Sequence, residues 1–154
     1  MGVLAAVAAG VFLISELAPE PGSGSALQSA RASVRVGERG IFSVDVADTP
    51  ILRARGLSGR ECLAPTDGMW FVFPDEGIHG FWMKDMHFPI DILWISDDFR
   101  VVHIEEHAAP ESYPHVFYPD APARYVLEIP AGSSARAGIV RGDRAELSVS
   151  ATRP

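Results

Sequence analysis

The 154-residue sequence is poor in cysteine and in lysine, and each shortage excludes a class of protein. Cys62 is the only cysteine, so the sequence excludes an intrachain disulfide and a zinc site built from paired cysteines. Lys84 is the only lysine beside twelve arginines, and no basic cluster offsets the formal net charge of −7. Because nucleic-acid binding depends on concentrated positive charge, we expect no nucleic-acid partner.

Recognisable catalytic signatures are also missing. The sequence contains no nucleophile elbow, no glycine-rich phosphate-binding loop and no complete metal-ligand motif. We therefore expect no cofactor, and a non-enzymatic role is favoured over catalysis. With 47% hydrophobic and 21% charged residues, the composition is that of a globular protein with one well-buried core.

The N-terminal region differs in composition from the rest of the chain. Residues 3–14 are twelve uncharged residues, a length typical of a secretory-signal core and short for a membrane-spanning helix. Residues 15–33 are rich in Pro, Gly, Ser and Ala and predict a flexible linker. We therefore divide the chain into a leader with its linker at 1–33 and one β-rich domain at 39–150. The expected location is periplasmic or otherwise exported, with membrane anchoring only through an uncleaved leader.

The remaining patterns predict many short strands. Apolar or alternating runs occur at 41–47, 68–73, 80–86, 90–96, 100–107, 124–129 and 142–150. Two short helices are predicted at 50–55 and 132–138, the first with Thr49 as its cap, Pro50 at its first position and Gly56 at its end. Without regular βαβ alternation, this order predicts a mainly β fold, a compact antiparallel barrel or rolled sheet of six to seven strands.

The stretch FWMKDMHFPIDILW, residues 81–94, places the single ammonium group among aromatic and thioether side chains. In a regular strand over 80–86, Trp82, Lys84 and Met86 project to one face and the intervening residues to the other. Two interpretations of Lys84 remain open. Its four-carbon stem covers an aromatic ring, or its ammonium group lies at the mouth of an aromatic-lined pocket.

Acidic residues near Lys84 support an enzymatic alternative. A hydrolase or lyase would use Lys84 with Asp85 or Asp91 as its acid and base. Further along the chain, Arg124 and Glu128 share one face of their predicted strand and indicate a surface ion pair of little energetic value.

The sulfur side chains support a second alternative, the handling of copper. Met83, Met86 and His87 offer the thioether and imidazole ligands that cuprous ions prefer. A regular strand would place the two methionines on opposite faces, so filling of the core by methionine is the favoured interpretation.

Four segments then resemble a known family. They are ADTPILRARGLSGRECLAPTDGMWFVFP, FWMKDMHFPIDILWIS, RVVHIEEHAAP and ARYVLEIPAGSSARAGIVRGD, and in this order they resemble the bacterial and archaeal family called domain of unknown function 192, over residues 41–149. The resemblance implies a compact β-rich, barrel-like fold, often with an export signal, and implies no established activity. The family usually has asparagine where this chain has Asp85, a change that keeps the shape but removes an amide donor.

The sequence as a whole favours a non-enzymatic, exported binding or accessory protein of the cell envelope. Its partner would be a small polar ligand, a glycan or an envelope protein. The predicted ligand-binding residues are Arg55, Trp82, Lys84, Asp85, Met86 and Asp91.

Overall fold

The computed structural model describes residues 30–149, which form nine strands and two short α-helices. The strands are β1 Arg31–Val36, β2 Gly40–Ala47, β3 Asp67–Gly77, β4 Phe81–Trp82, β5 Ile90–Ile95, β6 Val101–Ala108, β7 Val116–Phe117, β8 Ala123–Pro130 and β9 Ala145–Val149. The helices are α1 Pro50–Arg55 and α2 Ser133–Ala137, and a 3-10 turn covers Pro110–Ser112. The predicted class, mainly β with two short helices, is confirmed.

Seven strands form one curled sheet in the order β6-β5-β8-β3-β2-β1-β9, a half-barrel. Neighbouring strands are antiparallel except for β2 and β3, which run parallel. The two edges of the sheet approach each other at one end, where Arg100 and Arg144 form an isolated antiparallel bridge. The short strands β4 and β7 pair separately as a two-stranded ribbon, which we call the β4–β7 ribbon.

The central strands are buried on both faces, which explains their nearly continuous apolar sequences. On β8, Leu127 and Ile129 join an inner hydrophobic cluster with residues of β1 and β2, whereas Val126 joins an outer cluster. The outer cluster packs under α1 and the β4–β7 ribbon, and includes Leu52 and Phe117. Each fully buried side chain of this size contributes about 1.5–3 kcal/mol, so both clusters stabilise the sheet.

Helix α1 begins and ends where the local sequence predicted. The Oγ1 atom of Thr49 accepts a hydrogen bond from the backbone N–H of Leu52 at 3.3 Å, and Pro50 occupies the first turn. Gly56 ends the helix with a φ of 51°, a conformation that glycine adopts without strain. Leu52 and Leu57 are buried against the outer face of the sheet, so this short helix is held mainly by packing.

The first strand lies earlier than predicted. The structure places β1 at Arg31–Val36, so the prediction of a flexible linker to residue 33 and a folded unit from residue 39 was wrong at this boundary. Ala32, Val34 and Val36 alternate into the inner cluster, and β1 pairs with both β2 and β9. The predicted leader lies outside the described residues. Within residues 30–149, no helix has both the length and the hydropathy needed to cross a membrane.

The strand predicted at 80–86 is much shorter in the structure. It ends at Trp82, and residues 83–86 form a turn closed by a hydrogen bond from the N–H of Met86 to the carbonyl of Met83, 3.3 Å long. Asp85 has a φ of 55°, in the left-handed region that asparagine and aspartate tolerate best among residues with a side chain. The predicted alternation of side chains through this segment was therefore wrong.

Candidate functional site

A cavity of about 340 Å³ lies on the outer face of the sheet, between α1 and the β4–β7 ribbon. This volume falls within the range of about 300–1,000 Å³ that is typical of small-molecule sites. The lining consists of residues 53–58 from α1 and its following turn, Phe71 and Phe73 of β3, residues 80–82, Met86, and Glu128 of β8.

Aromatic rings form one wall of the cavity and hold the ribbon in place. Phe81 of β4 packs edge-to-face against Phe71, with ring centroids 4.9 Å apart, and against Trp94 at 5.9 Å. Phe73 stacks on the ring of His79 at 3.6 Å. Since Phe81 inserts between rings from the sheet, the position of the ribbon, and with it the shape of the cavity, is fixed by packing.

Two arginines from α1 reach the cavity, and their surroundings differ. The Nη1 atom of Arg53 donates hydrogen bonds to the carbonyls of Asp48 at 2.7 Å and Val72 at 2.8 Å, and its guanidinium lies 5.3 Å from the centre of the Phe73 ring. Arg55 is exposed, and among residues 30–149 it forms no ion pair and no side-chain hydrogen bond. Arg55 therefore keeps its hydrogen-bond donors free for a ligand.

The carboxyl group of Glu128 is buried beside the cavity. Only 5% of the residue is exposed, and its Oε2 atom is buried with no hydrogen-bond partner among the described residues. Removal from water raises the pKa of Glu128 to about 8, and the positive charge of Arg60 offsets this rise only in part. At neutral pH the group is therefore mostly protonated.

The backbone around Glu128 is tightly packed. Glu128 pairs with Met69 on β3 and with Ile92 on β5, so β8 is enclosed on both sides. A Cβ atom at Gly68 would lie 2.6 Å from the carbonyl oxygen of Glu128, so glycine is required for this close approach. Arg60, the charged residue that acts on Glu128, is itself bound to Asp45 at 2.7 Å.

Comparison with known proteins assigns the chain to a family. The DUF192 family model, described as "Uncharacterized ACR, COG1430", matches residues 32–147. The chain belongs to the DUF192 family. This DUF192 domain is 34% identical over 94 residues to a UPF0127 protein of Pyrococcus horikoshii, a match that covers 58% of this chain and 73% of the relative.

Two crystal structures are similar to this DUF192 domain. A protein of Sinorhizobium meliloti 1021, described as a candidate transcription regulator, superposes with a TM-score of 0.74 at 34% identity, over 79% of this chain and 96% of that one. A protein of unknown function from Novosphingobium aromaticivorans superposes with a TM-score of 0.70 at 30% identity, over 90% of this chain and 99% of that one. The family resemblance predicted from the sequence is confirmed.

The structure of the DUF192 domain brings only half of the predicted ligand-binding residues to the cavity. Arg55, Trp82 and Met86 line it, and Trp82 is 53% exposed. Lys84 and Asp85 are exposed on the turn after β4 and are not part of the lining, because the strand ends before them. The carbonyl of Lys84 accepts a hydrogen bond from the hydroxyl of Ser58, and that of Asp85 accepts one from the N–H of Gly59, so the carbonyls of this turn hold it to the segment that follows α1.

Asp91 has a structural position away from the cavity lining. It is fully buried, and its Oδ1 atom accepts hydrogen bonds from the N–H groups of His107 at 3.0 Å and Gly132 at 2.9 Å. Its Oδ2 atom accepts from the N–H and the hydroxyl of Ser134, at 3.0 and 2.6 Å. Burial raises the pKa of Asp91, but these four hydrogen bonds outweigh it and the net pKa is lowered. Lys84, by contrast, is exposed, so an acid–base pair of the two is not formed.

The proposed copper ligands do not converge either. Met83 is buried in the outer cluster, whereas His87 is exposed, with its Nδ1 atom 3.4 Å from a carboxylate oxygen of Glu61. Within residues 30–149, no group of three His, Cys, Asp or Glu side chains is placed to hold a metal ion. The methionine at 83 thus serves as core filler.

Glu128, the most unusual residue of the site, is not among the ligand-binding residues predicted from the sequence. Glu128 was predicted to pair with Arg124 at the surface, but Glu128 is buried and Arg124 binds Asp97 at 2.5 Å. The available signal was an acidic residue inside the apolar run YVLEI, in which Val126, Leu127 and Ile129 are buried. This pattern predicts a buried glutamate only when β8 is known to be a central strand of the sheet.

Proposed function

We propose that this DUF192 domain is a binding protein that holds a small organic molecule in the cavity beneath α1. The observation that carries this proposal is the buried carboxyl group of Glu128, which lines the cavity and whose Oε2 atom lacks a partner within the described chain. Burial of an unpaired polar group costs about 1–3 kcal/mol, whereas an apolar side chain of the same size would pack there without that cost. A ligand that hydrogen-bonds to the carboxyl group offsets the cost.

The rest of the lining supports the same proposal. Apolar and aromatic walls with a few polar groups are the usual composition of small-molecule sites. Here the walls come from Phe71, Phe81 and Met86, and the polar groups are Glu128 and the exposed Arg55. Because the rings are fixed by packing against the sheet, the cavity is formed before a ligand enters and binding requires little ordering.

The test is a cavity-blocking substitution with a matched control on the same helix. Ala54 lines the cavity, whereas Ile51 is exposed on α1 and does not. Small carboxylates, amines and neutral aromatic compounds would be titrated into the protein while backbone amide signals are followed by NMR. We expect at least one class to shift the signals of residues 55–58, 81–82 and 128, Ala54→Trp to abolish the shifts, and Ile51→Trp to retain them. If no class shifts these signals, or if the shifts persist in Ala54→Trp, the proposal is wrong.

We also propose that the domain is exported and functions in the cell envelope, either free or anchored by its leader. The support is the uncharged run at residues 3–14 followed by a Pro-, Gly- and Ser-rich segment. Fusion of residues 1–38 to alkaline phosphatase, which is active only after export, tests this location. Activity that disappears when an aspartate is introduced at Val7 supports export, and an inactive wild-type fusion contradicts it.

A further inference from the structure

Resting on the proposed function, we infer that the cavity takes a small organic anion with a flat apolar body, whose acidic head group binds Arg55. The lining contains three ionisable side chains, Arg53, Arg55 and Glu128. The two arginines are positive, and the one acidic group of the lining is buried and mostly protonated at neutral pH. The cavity is therefore locally positive in a chain whose formal net charge is −7.

Arg55 is the residue that selects the head group. Arg53 already donates to two backbone carbonyls and stacks on Phe73, so its position is set by the protein. Arg55 has no such partner within the described residues, and its planar guanidinium offers donors in a geometry that matches a carboxylate or phosphate. An anion at the cavity mouth is therefore attracted by both arginines, but only the guanidinium of Arg55 is without a partner among residues 30–149.

The aromatic wall selects the body of the ligand. Phe71 and Phe81 meet edge-to-face with their centroids 4.9 Å apart, and Trp82 is 53% exposed at the rim. Such surfaces favour a flat ring that can stack or pack edge-on. The cavity volume of about 340 Å³ is near the lower end of the range for ligand sites, which limits the ligand to one small ring system.

Glu128 determines how binding responds to pH. Its carboxyl group shares the cavity lining with Arg53 and Arg55 of α1, and the charge that acts on it directly is that of Arg60, which is bound to Asp45. The cavity side chains of β3 and β4 are uncharged. The protonated group donates a hydrogen bond to a ligand oxygen, whereas the ionised group repels an anion and attracts a cation. Anion binding should therefore weaken as the pH rises through the pKa of Glu128, about 8. Cation binding would strengthen over the same interval.

The experiment compares three probes of nearly equal size that differ in head-group charge: benzoate, benzylamine and benzyl alcohol. Affinities would be measured by NMR titration of the folded protein at about pH 6.5, where Glu128 is mostly protonated. We expect benzoate to bind about tenfold more tightly than benzylamine, a difference of about 1.4 kcal/mol. Arg55→Gln should weaken benzoate binding about tenfold and leave benzyl alcohol nearly unchanged. Lys84→Gln, which removes an exposed positive charge outside the lining, should change neither.

The pH series completes the test. Between about pH 6.5 and pH 9, benzoate affinity should fall about tenfold in the wild type and remain level in Glu128→Gln, which keeps a neutral donor at the site. Preferential binding of benzylamine or benzyl alcohol, or benzoate affinity that is equal in Arg55→Gln and Lys84→Gln, overturns the inference while the proposed binding function stands. Binding of none of the three probes at the cavity overturns both.

Discussion

Two buried carboxyl groups lie on neighbouring strands of this protein, Asp91 on β5 and Glu128 on β8, and their surroundings are opposite. Asp91 accepts four hydrogen bonds, three of them from the backbone, and its pKa is lowered. Glu128 lies against the aromatic cavity, its Oε2 atom has no partner among the described residues, and its pKa is raised to about 8. The two strands pair so that Asp91 faces Ile129 and Ile92 faces Glu128, so the two groups are close in the sheet.

The difference shows that burial alone does not set the charge of a carboxyl group. N–H donors at the start of α2 compensate Asp91 for the loss of water, so the ion is retained and joins β5, β6 and α2. Glu128 has aromatic and aliphatic neighbours instead, so it remains protonated at neutral pH. Asp91 is thus a structural residue, and Glu128 is a residue whose polarity the fold itself does not need.

The largest expected effect on stability comes from removing the carboxylate of Asp91. Asp91→Ala removes the shared acceptor of four hydrogen bonds, three of them buried and the one from His107 part-buried, so the free energy of unfolding should fall by about 4 kcal/mol. Urea denaturation at neutral pH measures the loss. Asp75→Ala, which removes an exposed carboxylate from β3, is the matched control and should change the free energy by less than about 0.5 kcal/mol. Equal losses of unfolding free energy in Asp91→Ala and Asp75→Ala would contradict a structural role for Asp91. If Asp91→Ala does not fold, Asp91→Asn is measured instead, and it should give an intermediate loss.

The next effect is a dependence of stability on pH that originates at Glu128. Its pKa is about 8 in the folded protein and near 4.5 when unfolded, so between these values the folded state binds more protons. Stability should therefore fall as the pH rises, by about 2–3 kcal/mol from about pH 5 to pH 7. Urea denaturation of the wild type and Glu128→Gln across this interval isolates the contribution. Parallel pH profiles for the two proteins would show that Glu128 is already ionised in the folded state.

The smallest expected effect on stability comes from removing one hydrogen bond to Asp91. Ser134→Ala removes the hydroxyl that donates to Oδ2 at 2.6 Å and leaves the three backbone donors in place. The free energy of unfolding should fall by about 1 kcal/mol, and the pKa of Asp91 should rise toward its ordinary value. Carboxyl carbon NMR titration follows the pKa directly. Ser133→Ala is the control, since Ser133 is also buried but contacts Arg136 instead, and it should leave the Asp91 titration unchanged.

Elements with strong local signals were predictable from sequence. Helix α1 carries its cap, its first-turn proline and its terminal glycine within eight residues, so its bounds were predicted correctly. The strands predicted at 90–96 and 100–107 were also confirmed, and as β5 and β6 they pair antiparallel around a short polar turn. The family resemblance rests on motifs that lie on the central strands and their connections.

Features that depend on distant pairing were not predictable. Strand β1 contributes to the inner cluster only because it pairs with β2 on one side and β9 on the other. Its short sequence, in which arginine and serine alternate with small apolar residues, gives no strong strand signal by itself. The turn at 83–86 depends on hydrogen bonds that the hydroxyl of Ser58 and the N–H of Gly59 donate to its backbone carbonyls. Three of the six predicted residues, Lys84, Asp85 and Asp91, therefore lie outside the cavity lining. The buried state of Glu128 required knowledge of the strands on both sides of β8.

The parallel pairing of β2 with β3 has a consequence for how this family can diversify. Parallel neighbours oblige the chain to cross the sheet between Ala47 and Asp67, and that crossing carries residues 53–58, which form one side of the cavity. The inner cluster takes none of its members from the crossing. Mutations in the crossing can therefore reshape the cavity from one descendant to another while the inner cluster is inherited intact.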